Sequence, residues 1–188
     1  MICAEWWAFE VIIVLAGTIG VKTLAATTIL MSFSYTLFMV PLGVQEATSA
    51  LIGNCIGANN VPLAKRFNSL NSKFALACVL TLAITTALCR DYIVSCFTQD
   101  AEVTEIAKFA LLISCLWSVF DGMQGYYQGP IRGLGLQKVA SFVAIACYWI
   151  LGIPLAYLFG KTLNYGLTGL QIGIGIAVFV EFVAYFLI

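Results

Sequence analysis

From residue 24 to residue 56 the chain carries a single charged side chain, Glu46. As one helix, at 1.5 Å per residue, this run would be about 50 Å long, well beyond the hydrocarbon core of about 30 Å that a straight span crosses. Pro41-Leu42-Gly43 falls near its middle. Proline removes a backbone donor and crowds the preceding turn, so a kink is expected there. Past it, VQEATSALIGNCIG is small and polar, a composition suited to close packing or to lining a cavity rather than to facing lipid. Five further apolar stretches follow the same pattern, at 2–19, 74–89, 106–128, 139–159 and 167–188. The third in chain order, 74–89, spans only with help from its flanks. Charged residues make up 10% of the chain and the mean hydropathy is +1.00, whereas a soluble domain carries about 25% charged residues. The expected fold is all-α: a polytopic membrane protein of six transmembrane helices, a single unit over residues 1–188.

Four function classes recede at this point. Net charge is zero and no basic tail or cluster exists, which argues against nucleic acid as a partner. The chain has no histidine, so histidine acid–base chemistry and HExxH zinc sites are out, and an enzyme is not expected. Neither a metal nor a cofactor is expected. Seven cysteines, without a CxxC pair, sit mostly in apolar stretches and read as small core side chains, although Cys89 and Cys96 flank a polar junction where a disulfide is conceivable. Met1 leads directly into the first apolar stretch without a basic region or cleavage site, so no removable signal peptide is expected. That abrupt start, and the stop at Ile188 inside an apolar stretch, read as a piece of something longer. Alternate junctions share a side of the membrane. Lys65, Arg66, Arg132 and Lys138, with Lys73 just beyond, outnumber Lys22, Arg90 and Lys161, so the positive-inside rule puts the former side, and both termini, in the cytoplasm.

Against this background two carboxylates stand alone in apolar helices: Asp121 in LLISCLWSVFDGMQGYYQGP and Glu10 in EWWAFEVIIVLAG. A mid-helix acid in lipid costs on the order of 3 kcal/mol. Such a residue persists where it faces a protein interior or wet cavity, binds a cation or proton, or pairs with another helix. Asp121, Gln124 and Gln128 fall at i, i+3 and i+7 along one face, a polar seam in which Gly122, Gly125 and Gly129 would let a neighbouring helix approach. A hydrogen-bonded packing seam would also explain the glutamines. Glu5 and Glu10 project about 140° apart and cannot form a dyad; Glu10 lies deeper along the helix. Glu46 beyond Pro41, and Tyr148 ahead of Gly152-Ile153-Pro154, are further cavity candidates. Arg132 at a helix C-terminus is favoured by the macrodipole. Glu181 is deep in the last stretch, with only apolar and aromatic neighbours and no partner visible in the sequence.

Five motifs in register with six spans resemble the C-terminal half of a eukaryotic-type multidrug and toxic compound extrusion (MATE) transporter. They are EWWAFE at 5–10, MVPLG at 39–43, IGNCIGANNVPLAKR at 52–66, GPIRGLGLQK at 129–138 and YWILGIPLAY at 148–157. The resemblance implies helices seven to twelve of a twelve-helix protein, one of two six-helix lobes, with the N-terminal lobe absent from this chain. It implies export of organic cations or metabolites in exchange for H⁺ or Na⁺ by alternating access, in a plasma, vacuolar or other endomembrane. It also implies that Glu10 and Asp121 form the ion-coupling site and act as one unit. Glu5 then occupies a further acidic position, with Glu46, Gln124, Gln128 and Tyr148 toward substrate. The sequence departs from the family pattern at Ser32, Glu46 and Leu51, which bears on substrate choice. Partners would be the lipid bilayer, a small organic substrate, and either the missing lobe or a second copy. A non-transporting scaffold, an inactive truncated product and a lipid flippase of related architecture are the alternatives.

Overall fold

In a computed structural model, which describes residues 2–188, the chain forms six helical rods: α1 (Ile2–Ile19), α2 (Val21–Gly57), α3 (Val61–Phe97), α4 (Ala101–Gly133), α5 (Gln137–Thr162) and α6 (Gly166–Leu187). The last five are each long and apolar enough to cross a membrane. α1, with 18 residues, rises about 27 Å, close to the hydrocarbon thickness. All six apolar stretches are therefore helical, and the fold is all-α.

The rods are longer than the apolar stretches that announce them. α3 has 37 residues, so the stretch at 74–89 is only its middle. Helix limits here follow end chemistry rather than hydropathy. Asn60 caps α3, its side chain accepting from the Leu63 N–H at 3.2 Å, with Pro62 in the first turn. Proline is tolerated there because that N–H has no partner in any helix. Lys65, Arg66 and Lys73 consequently ride on the first turns of α3 instead of in a loop. α2, also 37 residues, continues as helix through Pro41. Its excess over the hydrocarbon core is taken up by tilt or by ends standing among the headgroups, with no break in the rod.

Around Gly152-Ile153-Pro154 the helix departs from regular α geometry. α5 contains π-helical turns at Ala146–Gly152 and Leu158–Thr162, on either side of a short α-helical stretch. Proline lacks the N–H that would close an ordinary turn, and a wider turn re-pairs the freed carbonyls.

α4 is the central rod, packed against α2, α3, α5 and α6, while α1 lies on α2, α5 and α6. In lipid, association depends on close packing rather than on water exclusion, and glycines supply it. A Cβ at Gly129 of α4 would lie 2.5 Å from the Gln45 carbonyl oxygen of α2, and one at Gly122 would lie 2.6 Å from Val79 of α3. The glycines beside the polar seam do thin α4 for its neighbours. Buried side chains form one cluster around Ala8, Ile12, Tyr148 and Ile174, joining α1, α5 and α6. A second, around Leu30, Val94 and Leu111, joins α2, α3 and α4.

Among the described residues, the ion pairs between helices lie toward the two ends of the bundle. Lys22 meets Glu102, Lys108 meets Asp91 at 3.0 Å, and Arg132 meets Glu46 at the opposite end. Asp100 caps α4 by accepting from the N–H groups of Glu102 and Val103, both at 3.0 Å. Those two bonds, the Val103 one foremost, hold its carboxyl below the ordinary value of 3.8. A group depressed in this way stabilises the fold above its unfolded value and loses that contribution as pH falls through the folded one. Protection of the first-turn amides of α4, measured as exchange relative to the intrinsic rate at each pH, is thus expected to fall below about pH 4, and Asp100→Ala to show the lower protection already at neutral pH. Protection that does not change with pH in the native chain would mean the cap contributes nothing.

Candidate functional site

The seam on α4 becomes the spine of a buried polar network. Gln128 donates through Nε2 to Glu5 Oε1 at 2.7 Å and to Gln124 Oε1 at 2.8 Å. Gln124 in turn donates to the Tyr148 hydroxyl at 3.2 Å. Glu5 is only 3% exposed, and Gln124, Gln128 and Tyr148 are buried with it. Helices α1, α4 and α5 are tied together by uncharged amides holding a carboxylate. Gln45 of α2 is buried against the same seam. With its amide turned so that both ends are satisfied, it donates to the Gly125 carbonyl at 3.3 Å and accepts from Arg132 at 2.7 Å.

Asp121 is half-buried and opens on a cavity of about 120 Å³ among α1, α2, α3, α4 and α6. Glu5, Trp6, Tyr35, Phe38 and Trp117 are among the other residues lining it. Trp6 and Tyr35 stack with centroids 5.1 Å apart. The Tyr35 hydroxyl and Trp117 Nε1 have no hydrogen-bond partner, so the wall offers unused polar groups beside two acids. Asp121 is close enough to Glu5 for their charges to repel, and Gln124 stands beside both. Glu181 of α6 joins them as a third acid, sensing the charges of Glu5 and Asp121. Among the described residues, none of these three carboxyls forms an ion pair, and no group of acids, cysteines or histidines is arranged to hold a metal ion.

The geometry redistributes the sequence expectations. Glu5, Gln124, Gln128, Tyr148 and Asp121 come together. Glu10 does not: it is exposed and is not among the residues lining the cavity, although its charge reaches Tyr35, which is. The expectation that Glu10 and Asp121 meet within this lobe is corrected to Glu5 and Asp121. The reason lies in the same 140° that separates the two glutamates. When Glu5 turns inward, Glu10 must turn out, and depth along the helix is not depth in the protein. Glu46 also leaves the cavity, its exposed side chain pairing with Arg132. All seven cysteines are free thiols, Cys55 and Cys147 buried, so Cys89 and Cys96 do not form the disulfide weighed above.

Three participants escaped the sequence. Gln45 and Gln171 are buried polar groups, the latter accepting from Ser114 at 3.1 Å. Both stand in small-residue stretches whose polarity was the available signal. Glu181 carried the same signal as Asp121, a lone acid in an apolar helix. Its neighbours lie on other helices, which its own stretch of sequence does not show.

Comparison with known proteins bears on this arrangement. A family model described as MatE matches residues 1–158. An uncharacterized transporter of Schizosaccharomyces pombe is 32% identical, over 96% of this chain and 33% of its own length. The human multidrug and toxin extrusion protein 1 is 30% identical, over 93% of this chain and 30% of its own. Among solved structures, the eukaryotic MATE transporter AtDTX14 superposes with a TM-score of 0.93 at 26% identity, covering 100% of this chain and 42% of that one. The chain thus spans about a third of the length of the curated relatives it matches.

Proposed function

This chain belongs to the MatE family, and on that footing we propose that it is the C-terminal lobe of a twelve-helix antiporter. Such an antiporter exports organic cations or metabolites in exchange for H⁺ or Na⁺ by alternating access. The observation that carries the reading is the presence of Glu5 and Asp121, from α1 and α4, beside one cavity inside the lobe with no lysine or arginine, among the described residues, lining it. Two like charges at close quarters in a poorly solvated site disfavour the packing that holds them together. A bound proton or Na⁺ removes that repulsion, so the ion favours one arrangement of α1 and α4. Substrate must favour the other, since a ligand shifts an equilibrium only by its differential affinity for the two states. Trp6, Tyr35 and Phe38 give the cavity an aromatic wall of the kind that receives cationic rings. The basic side of the lobe, with both termini, faces the cytoplasm.

A lipid flippase would need cations in the cavity to receive a phosphate. Among the described residues lining it there is no lysine or arginine, and Arg132 is engaged with Glu46 at the helix end. The longer protein carrying both lobes, reconstituted into vesicles, is expected to move a fluorescent organic cation against an imposed H⁺ or Na⁺ gradient. The 188-residue chain alone is expected to insert and to move none, because the substrate path lies between lobes. Saturable gradient-driven movement by the chain alone would mean that a second copy supplies the other lobe.

A further inference from the structure

Glu181 is the least satisfied polar group among the described residues. It is 0% exposed, and neither Oε1 nor Oε2 has a hydrogen-bond partner. The groups facing it come from each helix packed nearby: Glu5 from α1, Asp121 from α4, Cys147 and Tyr148 from α5, and Tyr185 from its own helix. All are acids or neutral; no lysine or arginine pairs with it among the described residues. Two hydroxyls stand alongside it, those of Tyr185 and Tyr148. Tyr185 gives its proton to the Ala140 carbonyl at 3.0 Å, whereas Tyr148 accepts from Gln124 and keeps its own O–H to turn toward Glu181. An ionised carboxylate sealed from water, with no counter-charge and only neutral hydroxyls alongside, costs far more than a neutral acid in the same place. With two other acids alongside, every neighbouring charge adds to that cost.

We propose that Glu181 is a third proton-binding residue of this lobe, holding its proton in the packing seen here and releasing it to bulk water when α6 and its neighbours rearrange. The transported H⁺ would then be shared among three acids on α1, α4 and α6 rather than two. The participation of Glu181 in transport rests on the coupling role proposed for Glu5 and Asp121, whereas its protonation in this packing does not. The step is a simple exchange in which the carboxylate oxygen gains or loses one proton and no other bond changes. A metal ion does not fit, since the three acids do not converge as a ligand set.

The test begins with the chain itself in lipid, by infrared spectroscopy at neutral pH. In a Glu5→Gln, Glu10→Gln, Asp121→Asn background, Glu181 is the one described acid left that is sealed from water. A remaining carboxylic-acid C=O band is expected. It should vanish on adding Glu181→Gln and shift in frequency with Glu181→Asp, which keeps the acid should the glutamine variant fold poorly. Absence of that band, or a band indifferent to both changes, overturns the proposal. In the two-lobe protein, ethidium addition to Glu181→Gln should bind normally but release fewer protons than wild type, and unchanged release would remove Glu181 from the cycle. Coupled efflux that survives Asp121→Asn would instead overturn the coupling reading, leaving the infrared result for Glu181 standing.

Discussion

Asp121→Asn, made in the two-lobe protein, is expected to abolish ion-driven efflux while leaving its abundance near normal. Asparagine keeps the shape and the hydrogen-bonding reach toward Gln124 but removes the exchangeable charge on which coupling depends. The seam, the close helix contacts at Gly122 and Gly129, and the Glu5–Gln128 bond all remain, so folding has little reason to suffer. Efflux measured under an imposed H⁺ or Na⁺ gradient decides the matter: a rate equal to wild type would reduce Asp121 to a packing group. A double-mutant cycle on ion affinity, in this chain, locates its partner. Glu5→Gln combined with Asp121→Asn should depart from additivity by more than about 0.5 kcal/mol, because the two charges face one another. Glu10→Gln combined with Asp121→Asn should add within that same margin, of about 0.5 kcal/mol. The reverse pattern would place the ion between Glu10 and Asp121 after all.

The second large effect comes from a single methyl group. At Gly173 of α6 a Cβ would stand 2.3 Å from the Ala156 backbone nitrogen and 2.4 Å from its Cα. Neither atom can rotate aside, unlike the tip of a side chain. Gly173→Ala should therefore push α5 and α6 apart and cost at least the roughly 3 kcal/mol at the top of the ordinary overpacking range. Gly43→Ala is the control: it lies inside α2 with nothing within 4 Å of the added carbon, and alanine is favoured over glycine there by about 1 kcal/mol. Thermal unfolding in detergent should fall sharply for the first and hold or rise for the second. Equal stability of Gly173→Ala and the native chain would show that the contact yields.

How much of this was legible beforehand divides by the reach of the interaction concerned. The six rods follow from hydropathy because lipid leaves a backbone no alternative to helix. Their ends follow from Asn60 with Pro62 and from Asp100, capping signals that lie outside the apolar runs and leave no mark on hydropathy. The α4 seam was readable because i, i+3 and i+7 are neighbours within one helix. What joins helices was not readable. Whether Glu5 or Glu10 turns inward depends on the rotation of α1, fixed by its packing on α2, α5 and α6. The placement of Glu181 beside Tyr148 likewise exists only once α5 and α6 touch. Family resemblance carried the coupling role to Glu10 by position along the chain, and position does not specify which way a side chain faces.

The amide network also sets a limit on how this lobe handles protons. A glutamine side chain both donates and accepts, but at any accessible pH it neither gains nor loses a proton. Gln128 and Gln124 therefore stand between Glu5 and Tyr148 as insulation rather than wiring. They hold the acid in place and fix the direction of every hydrogen bond, yet they pass no charge along the chain. On the proton-binding roles proposed above, a proton shared among the acids would have to pass by a path other than these amides, Glu5 and Glu181 sensing each other through their fields. A lobe built this way resembles a bank of small capacitors more than a conduit, and a leak from one plate would not discharge its neighbour.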